Sequence, residues 1–355
     1  MSTTEQVSAP YRTLPSFPMR PRGPLSHELM TALSVAPAAA DDSGVDVADA
    51  VASALASATT IAYDDDVQLS LFLLYGLHYG SFAAVSPDWE WQPALVAARL
   101  ELERAFEAEL RATVEVPALP EPTSKAVAHA LAELTADDSG PSLSRFVAAK
   151  ATDEQLGEFL KQRSVYTLRE ADPHSWAIPR LTGRAKAALV EIQADEYGGG
   201  RPARMHAAIF AATMRAFGLD ASYGRYVDDV PAITLASLNV MSMFGLNRRL
   251  VGAVVGHLAA FEMTSSIPNG LYARGFRRLG YGTDVTEYFD EHVAADAVHE
   301  QIAAHDLAGS LGEDQPHLVA DILFGAAACL TVDGWAGAHI LDAWTAGRSS
   351  LRAAA

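Results

Sequence analysis

The segment DEHVAADAVHE, Asp290 to Glu300, places His292, Asp296 and His299 at positions i, i+4 and i+7. On a helix that spacing puts the three side chains on one stripe. Two imidazoles and a carboxylate suit a borderline metal such as Fe(II). A solvated helix face that carries histidines by chance has the same spacing. Glu262 sits in LVGAVVGHLAAFEMTSS, an otherwise apolar stretch, with Val251, Val255 and Leu258 ahead of it on its own face. An ionised carboxylate there is costly unless it is paired or metal-bound; a protonated, hydrogen-bonded glutamic acid or a solvent-facing helix end avoids the cost differently. Glu196 and His206 bracket EYGGGRPARMH, so a carboxylate and an imidazole on two segments can approach one centre from different directions. Glu191 and Asp195 compete with Glu196 for that role, and an ordinary loop with charged flanks carries the same residues. Glycine weakens helices, so this segment is expected to be mobile until metal binds. Glu170, at the end of SVYTLRE, says little by itself. As a fourth carboxylate beside Glu196, Glu262 and Asp296 it balances the charge of two ferrous ions, and the neutral imidazoles of His206, His292 and His299 complete the set. Such a set suits a two-metal centre buried among helices, although the paired Glu-x-x-His motifs of ferritin-like proteins are absent.

Helices must position these residues. The chain has 355 residues, half of them hydrophobic, enough for one large domain or two modest ones. Ala, Leu and Val are abundant and no alternating β-branched runs occur, which points to an all-α fold. There is no internal repeat and no βαβ alternation. Gly198 to Gly200 lacks the following Lys-Ser/Thr of a phosphate loop. Residues 1 to 40, with Pro10, Pro15, Pro18, Pro21 and Pro24, read as an extended arm. Helices are expected from about 45, over 67–79, 91–110 and 125–135, with a break at 116–124 and a turn at DDSGPS that leaves Ser142 as an N-cap. A boundary near residue 150 divides a helical region, 41–150, from a metal-binding domain, 151–355. In the latter, helices are expected over 153–170, 183–196, 202–217, 231–244 and 248–265. A break at Ser266 to Gly270 precedes helices over 284–305 and 315–344.

The formal net charge is −18 and the pI about 4.9, which argues against non-specific nucleic-acid binding. Cys329 is the only cysteine. It excludes an intrachain disulfide, a zinc ribbon or an iron–sulfur cluster and, in LFGAAACL, reads as a buried thiol. No hydrophobic signal core is evident and no apolar run reads as long enough to span a bilayer, so a cytoplasmic protein without a membrane partner is expected. His78, His174, His257, His305, His317 and His339 read as packing or surface histidines. Tyr166, one turn before Glu170, is a core residue or lines the site. Arg204 and Arg274 can meet a substrate carboxylate, with surface salt bridges as the default.

The ordered series Glu170, Glu196, His206, Glu262, His292, Asp296, His299 resembles the haem-oxygenase-like diiron oxidases and oxygenases. In residue order and interval it is similar to their N-oxygenating branch, particularly the central domain of the N-nitrosourea-forming enzyme, over roughly residues 153 to 305. The resemblance implies a haem-oxygenase-like helical bundle with an N-terminal helical extension. It also implies two Fe(II) per chain, O2 as co-substrate, an electron donor that re-reduces the iron, and no haem. The seven residues would be the metal ligands, with Glu196 the additional carboxylate characteristic of N-oxygenases and hence catalytic. The implied reaction is N-oxygenation of an amine or guanidine-type nitrogen of a small metabolite. Oxidative decarboxylation or desaturation of an amino or fatty acid is the alternative within the fold, and a non-catalytic iron-binding protein the alternative outside it. Residues 41 to 150 are expected to form a homodimer, as the relative's N-terminal helices do. With no β-rich cupin after Ala355, a second, rearranging chemistry is not expected.

Overall fold

The structure, a computed structural model, describes residues 19–35, 46–136 and 142–353, and the backbone but not the side chains of residues 294–298. Among the described residues helices dominate and no extended strand forms; Phe82 and Tyr223 are isolated bridge residues. In chain order the helices are α1 (Pro24–Leu33), α2 (Ala48–Ser57), α3 (Asp65–His78), α4 (Pro93–Thr113), α5 (Ser124–Thr135), α6 (Leu143–Ala149), α7 (Asp153–Thr167), α8 (Asp172–Ser175), α9 (Gly183–Glu196), α10 (His206–Ala216), α11 (Ala232–Leu246), α12 (Val251–Arg278), α13 (Thr283–Gln301), α14 (Ser310–Asp314) and α15 (Val319–Thr345). The all-α expectation holds.

Side-chain caps start several of them. Asp64 accepts from the Asp66 and Val67 amides at α3, Ser142 from the Arg145 amide at α6, and Thr152 forms a capping box with Gln155 at α7. Each satisfies amides that a helix start leaves open. At the centre, α12 packs on both α13 and α15. A Cβ at Gly256 would overlap the Ile322 carbonyl oxygen, and one at Gly325 the Ala253 carbonyl oxygen. The α12 and α15 backbones therefore touch directly, which holds α12, and Glu262 on it, at a fixed depth.

Four sequence expectations are corrected. Within the supposed arm, residues 24–33 are helix α1, with Pro24 in the first turn, where its missing N–H costs nothing, and Leu25, Leu29 and Leu33 buried; residues 1–18 and 36–45 lie outside the described residues. The break at Ser266 to Gly270 does not occur. Helix α12 runs through Pro268 to Arg278, flanked by α13 and α15, with Asn269 Nδ2 donating to the Ser265 carbonyl at 3.0 Å beside the gap in the ladder. The helix expected to reach residue 305 changes register: α13 ends at Gln301 and a π-helical segment, Ile302–Gly309, follows. Finally, Arg248–Arg278 and Pro316–Thr345 are long and apolar enough for a membrane span, with mean hydropathy 1.4 and 1.5. In each, 61 % of the apolar window is buried inside the protein, as befits paired core helices.

Substituting Gly256→Ala should force α12 and α15 apart and cost about 1–3 kcal/mol, the usual penalty of overpacking. Urea unfolding measures it; unchanged stability would mean that the pair can spread without loss.

Candidate metal centre

Five elements converge on one point. Glu170 follows α7 through a tight turn. The next residue, Ala171, takes φ 72°, a left-handed conformation costly for a residue with a Cβ. Gln193 Nε2 on α9 pins it by donating to the Ala171 carbonyl at 2.9 Å. Helix α9 ends on Glu196. Gly198, Gly199 and Gly200 then take φ of 70°, 58° and 78°, conformations that glycine adopts freely. They turn the chain back so that α10 begins on His206. Glu262 comes from α12, and His292 and His299 from α13.

Of the seven sequence-predicted residues, six come together. Glu170, Glu196, His206 and His292 present ligand atoms that all lie within 4.8 Å of one another, and so do Glu196, Glu262 and His299. Glu196 belongs to both groups. None of the six is more than 7 % exposed. The seventh, Asp296, lies on α13 between His292 and His299, but its side chain is outside the described residues. Of the three carboxylates that compete there, Glu196 is the buried one: Glu191 is exposed and the Asp195 side chain is 66 % exposed. Asp195 instead reaches the outer nitrogen of His299, Nε2, at 3.2 Å.

Hydrogen bonds fix which nitrogen each ring offers. His292 Nδ1–H donates to the Tyr288 carbonyl at 2.8 Å, leaving Nε2 facing Glu170 Oε1 at 3.5 Å. His299 Nε2–H donates to Asp195, leaving Nδ1 at 3.3 Å from Glu262 Oε2 and 4.0 Å from Glu196 Oε1. His206 Nδ1 faces Glu196 Oε2 at 3.0 Å. Neither the His206 nor the His299 Nδ1 makes a well-formed hydrogen bond, though both are buried. Inward nitrogens opposite carboxylate oxygens, with the outer nitrogen of His292 held by a carbonyl and that of His299 by a carboxylate, are the arrangement a metal-bound histidine takes once any inward proton is displaced. The Tyr288 hydroxyl donates to both Glu170 oxygens, at 2.7 and 2.8 Å.

The electrostatics agree with a cation site. Burial alone would lower the His299 pKa, but the Glu262 carboxylate, then Asp195 and Glu196, outweigh it and raise it to about 9. His206 is raised in the same way: burial opposes, and Glu196 prevails. Burial would raise Glu170, yet His292, His206 and Tyr288 hold it below the ordinary carboxylate value. Imidazole protons thus occupy the positive-charge positions that a metal would take. The residues present fit a metal: buried, inward-facing nitrogen and oxygen donors, with two imidazoles in one group and one in the other.

Other candidates go elsewhere. His257 and His174 bond each other, Nδ1 to Nε2, at 3.1 Å. Arg204 pairs with Glu287 and Glu291, the default surface reading, and Arg274 is exposed. Tyr166 is buried and also lines the small void between the carboxylates. Tyr288 escaped the sequence reading, although its place four residues before His292 was a usable signal.

A family model described as iron-containing redox enzyme matches residues 157–334, half of the chain and the span that holds all seven residues. The chain belongs to this family of the haem-oxygenase-like superfamily. Comparison with curated proteins gives no match.

Metal uptake at neutral pH should displace the His299 proton. Affinity for Fe(II) under anaerobic conditions should therefore rise with pH from 6.5 to about 9. For the metal-free chain the sign is opposite. The raised His299 contributes stability fully below 6.5 and loses it as pH rises through about 9. Calorimetric titration in buffers of different ionisation enthalpy reads the released proton; a flat affinity with no proton release would remove His299 from the donor set.

Proposed function

We propose that the centre holds two Fe(II) per chain and that the protein uses O2 to oxygenate an amine or guanidine-type nitrogen of a small metabolite. The observation that carries this reading is Glu196, whose carboxylate belongs to both groups of donor atoms. A carboxylate placed so can span two metals, and the mixed nitrogen and oxygen donors suit Fe(II). The ligand set is Glu170, Glu196, His206, Glu262, His292, Asp296 and His299.

When bound, a ferrous pair supplies two electrons to O2. In the overall balance one oxygen atom enters an N–H bond and the other leaves as water with two protons. An external electron donor restores the two electrons after each turnover. The chain's own residues set the conditions. The six buried donors keep bulk water away. Tyr288 orients Glu170 through its hydroxyl and His292 through its carbonyl, and Asp195 holds His299. The reading includes no haem and no nucleic-acid partner, and it places the protein in the cytoplasm. It also includes a homodimer through residues 41 to 150, where Tyr63 and Trp91 are exposed; a monomer in sedimentation at micromolar concentration would contradict that assembly.

With 18O2, the product should be heavier than its substrate by oxygen from O2. Glu196→Ala should keep part of the iron and lose product formation by about 100-fold. Loss of carbon dioxide or of two hydrogens without label in the product would favour the decarboxylase or desaturase reading. Accumulation of many irons per chain with no O2 reaction would favour an iron-binding protein.

A further inference from the structure

A cavity of about 380 Å³ lies beside the metal centre, within the size range of small-molecule sites. Helices α6, α7, α11, α12 and α15 bound it, and it shares Tyr166, Phe261 and Ser265 with the void between the carboxylates. Two charged side chains line it without opposing each other directly. Arg163 forms no hydrogen bond or ion pair with any described residue, and its Nε is buried and unpartnered. Burial pulls this guanidinium down, but Tyr288, Tyr272, Glu170 and Asp333 outweigh it, so Arg163 is a permanent cation. Asp333 accepts from the Ser237 hydroxyl at 2.6 Å and has no described cation within ion-pair distance. Burial raises its pKa, against the pull of Ser237 and Arg163. Asn269, also in the wall and only 3 % exposed, spends its amide nitrogen on Ser265 and leaves Oδ1 buried without a donor.

A half-buried cation, a half-buried anion held only by Ser237, and a buried acceptor line one partly open, largely apolar cavity and invite a ligand that supplies all three complements, because partly desolvated charge gains from a counter-charge. Position along α7 sets the direction. Arg163 and Tyr166 lie one turn apart on α7 and Glu170 follows three residues beyond its end, so along the chain Arg163 lies farther from the metal end than Tyr166 does.

We propose that this cavity is the substrate site and that it selects an amino-carboxylate zwitterion, its carboxylate on Arg163 and its cationic nitrogen between Asp333 and Asn269. The rest of the molecule passes Phe261 and Tyr166 toward the metal centre. The inference rests on the oxygenase reading only for which end of the ligand reacts. It also replaces Arg204 and Arg274, the arginines that the sequence offered for a substrate carboxylate.

The test is anaerobic calorimetric titration of the Fe(II)-loaded protein, so that binding is read without turnover. The probes are the coded α-amino acids, each with its decarboxylated amine and its des-amino acid, together with acetate and inorganic phosphate. At least one amino acid should bind, and about tenfold or more tighter than either truncated partner. Arg163→Gln should weaken the amino acid about 10- to 100-fold while leaving the amine unchanged. Asp333→Asn should show the mirror pattern against the des-amino acid, and that selective pattern separates recognition from misfolding. The proposal is overturned if no free amino acid binds, if the amine, acetate or phosphate binds as tightly as the amino acid, or if Arg163→Gln leaves affinity intact. Carboxylate-dependent binding without any labelled product would sink the oxygenase reading and leave this site standing. Labelled product from a ligand that ignores Arg163 would do the reverse.

Discussion

The burial of Glu170, Glu196 and Glu262 against one another is the constraint to which the rest of the fold answers. Three carboxylates, each at most 7 % exposed, repel at short range in a medium that screens them poorly. The raised imidazoles of His206 and His299 offset that repulsion by holding protons, and a metal pair would offset it more completely. Glu196 bears most of the conflict because it stands between the two groups. The features around it serve to keep it there: the glycine turn that follows, the Gln193 bond to the strained Ala171, and the direct backbone contact of α12 with α15 that fixes the depth of Glu262.

The same geometry separates tasks. Outer hydrogen bonds donated to Asp195 and to the Tyr288 carbonyl set the ring orientations, so the inward nitrogens face the place a cation would take. Arg163 and Tyr166 stand on α7 and Glu170 follows its end through a tight turn, which links the neighbouring cavity to the metal centre.

Much of this was legible in the sequence because ligand chemistry uses few residue types and helices repeat at known intervals. His292 and His299 on one stripe, and Glu262 in an apolar run, needed only that periodicity. The choice of Glu196 over Asp195 did not follow from spacing, since adjacent residues differ by a rotation that only packing decides. Pro268 misled because its local helix-breaking tendency is overridden by neighbours on both sides of α12. Helix α1 was hidden by the density of prolines before it, and the π-helical segment after α13 has no simple sequence signal. Arg163 went unnoticed because an arginine left without a hydrogen bond in a cavity wall is recognisable only once its surroundings are known, whereas Arg204 looked available and is occupied by Glu287 and Glu291.

On the proposed reading, a carboxylate shared by two unequal donor groups makes one demand above all: the irons would be two, close and different. Low-temperature Mössbauer spectroscopy of the anaerobic, 57Fe(II)-loaded protein addresses it directly. Two high-spin ferrous doublets of equal area, one from the group with two imidazoles and one from the group with a single imidazole, filling together during titration, is the expected result. A single doublet that saturates at one iron per chain would contradict the shared-carboxylate centre.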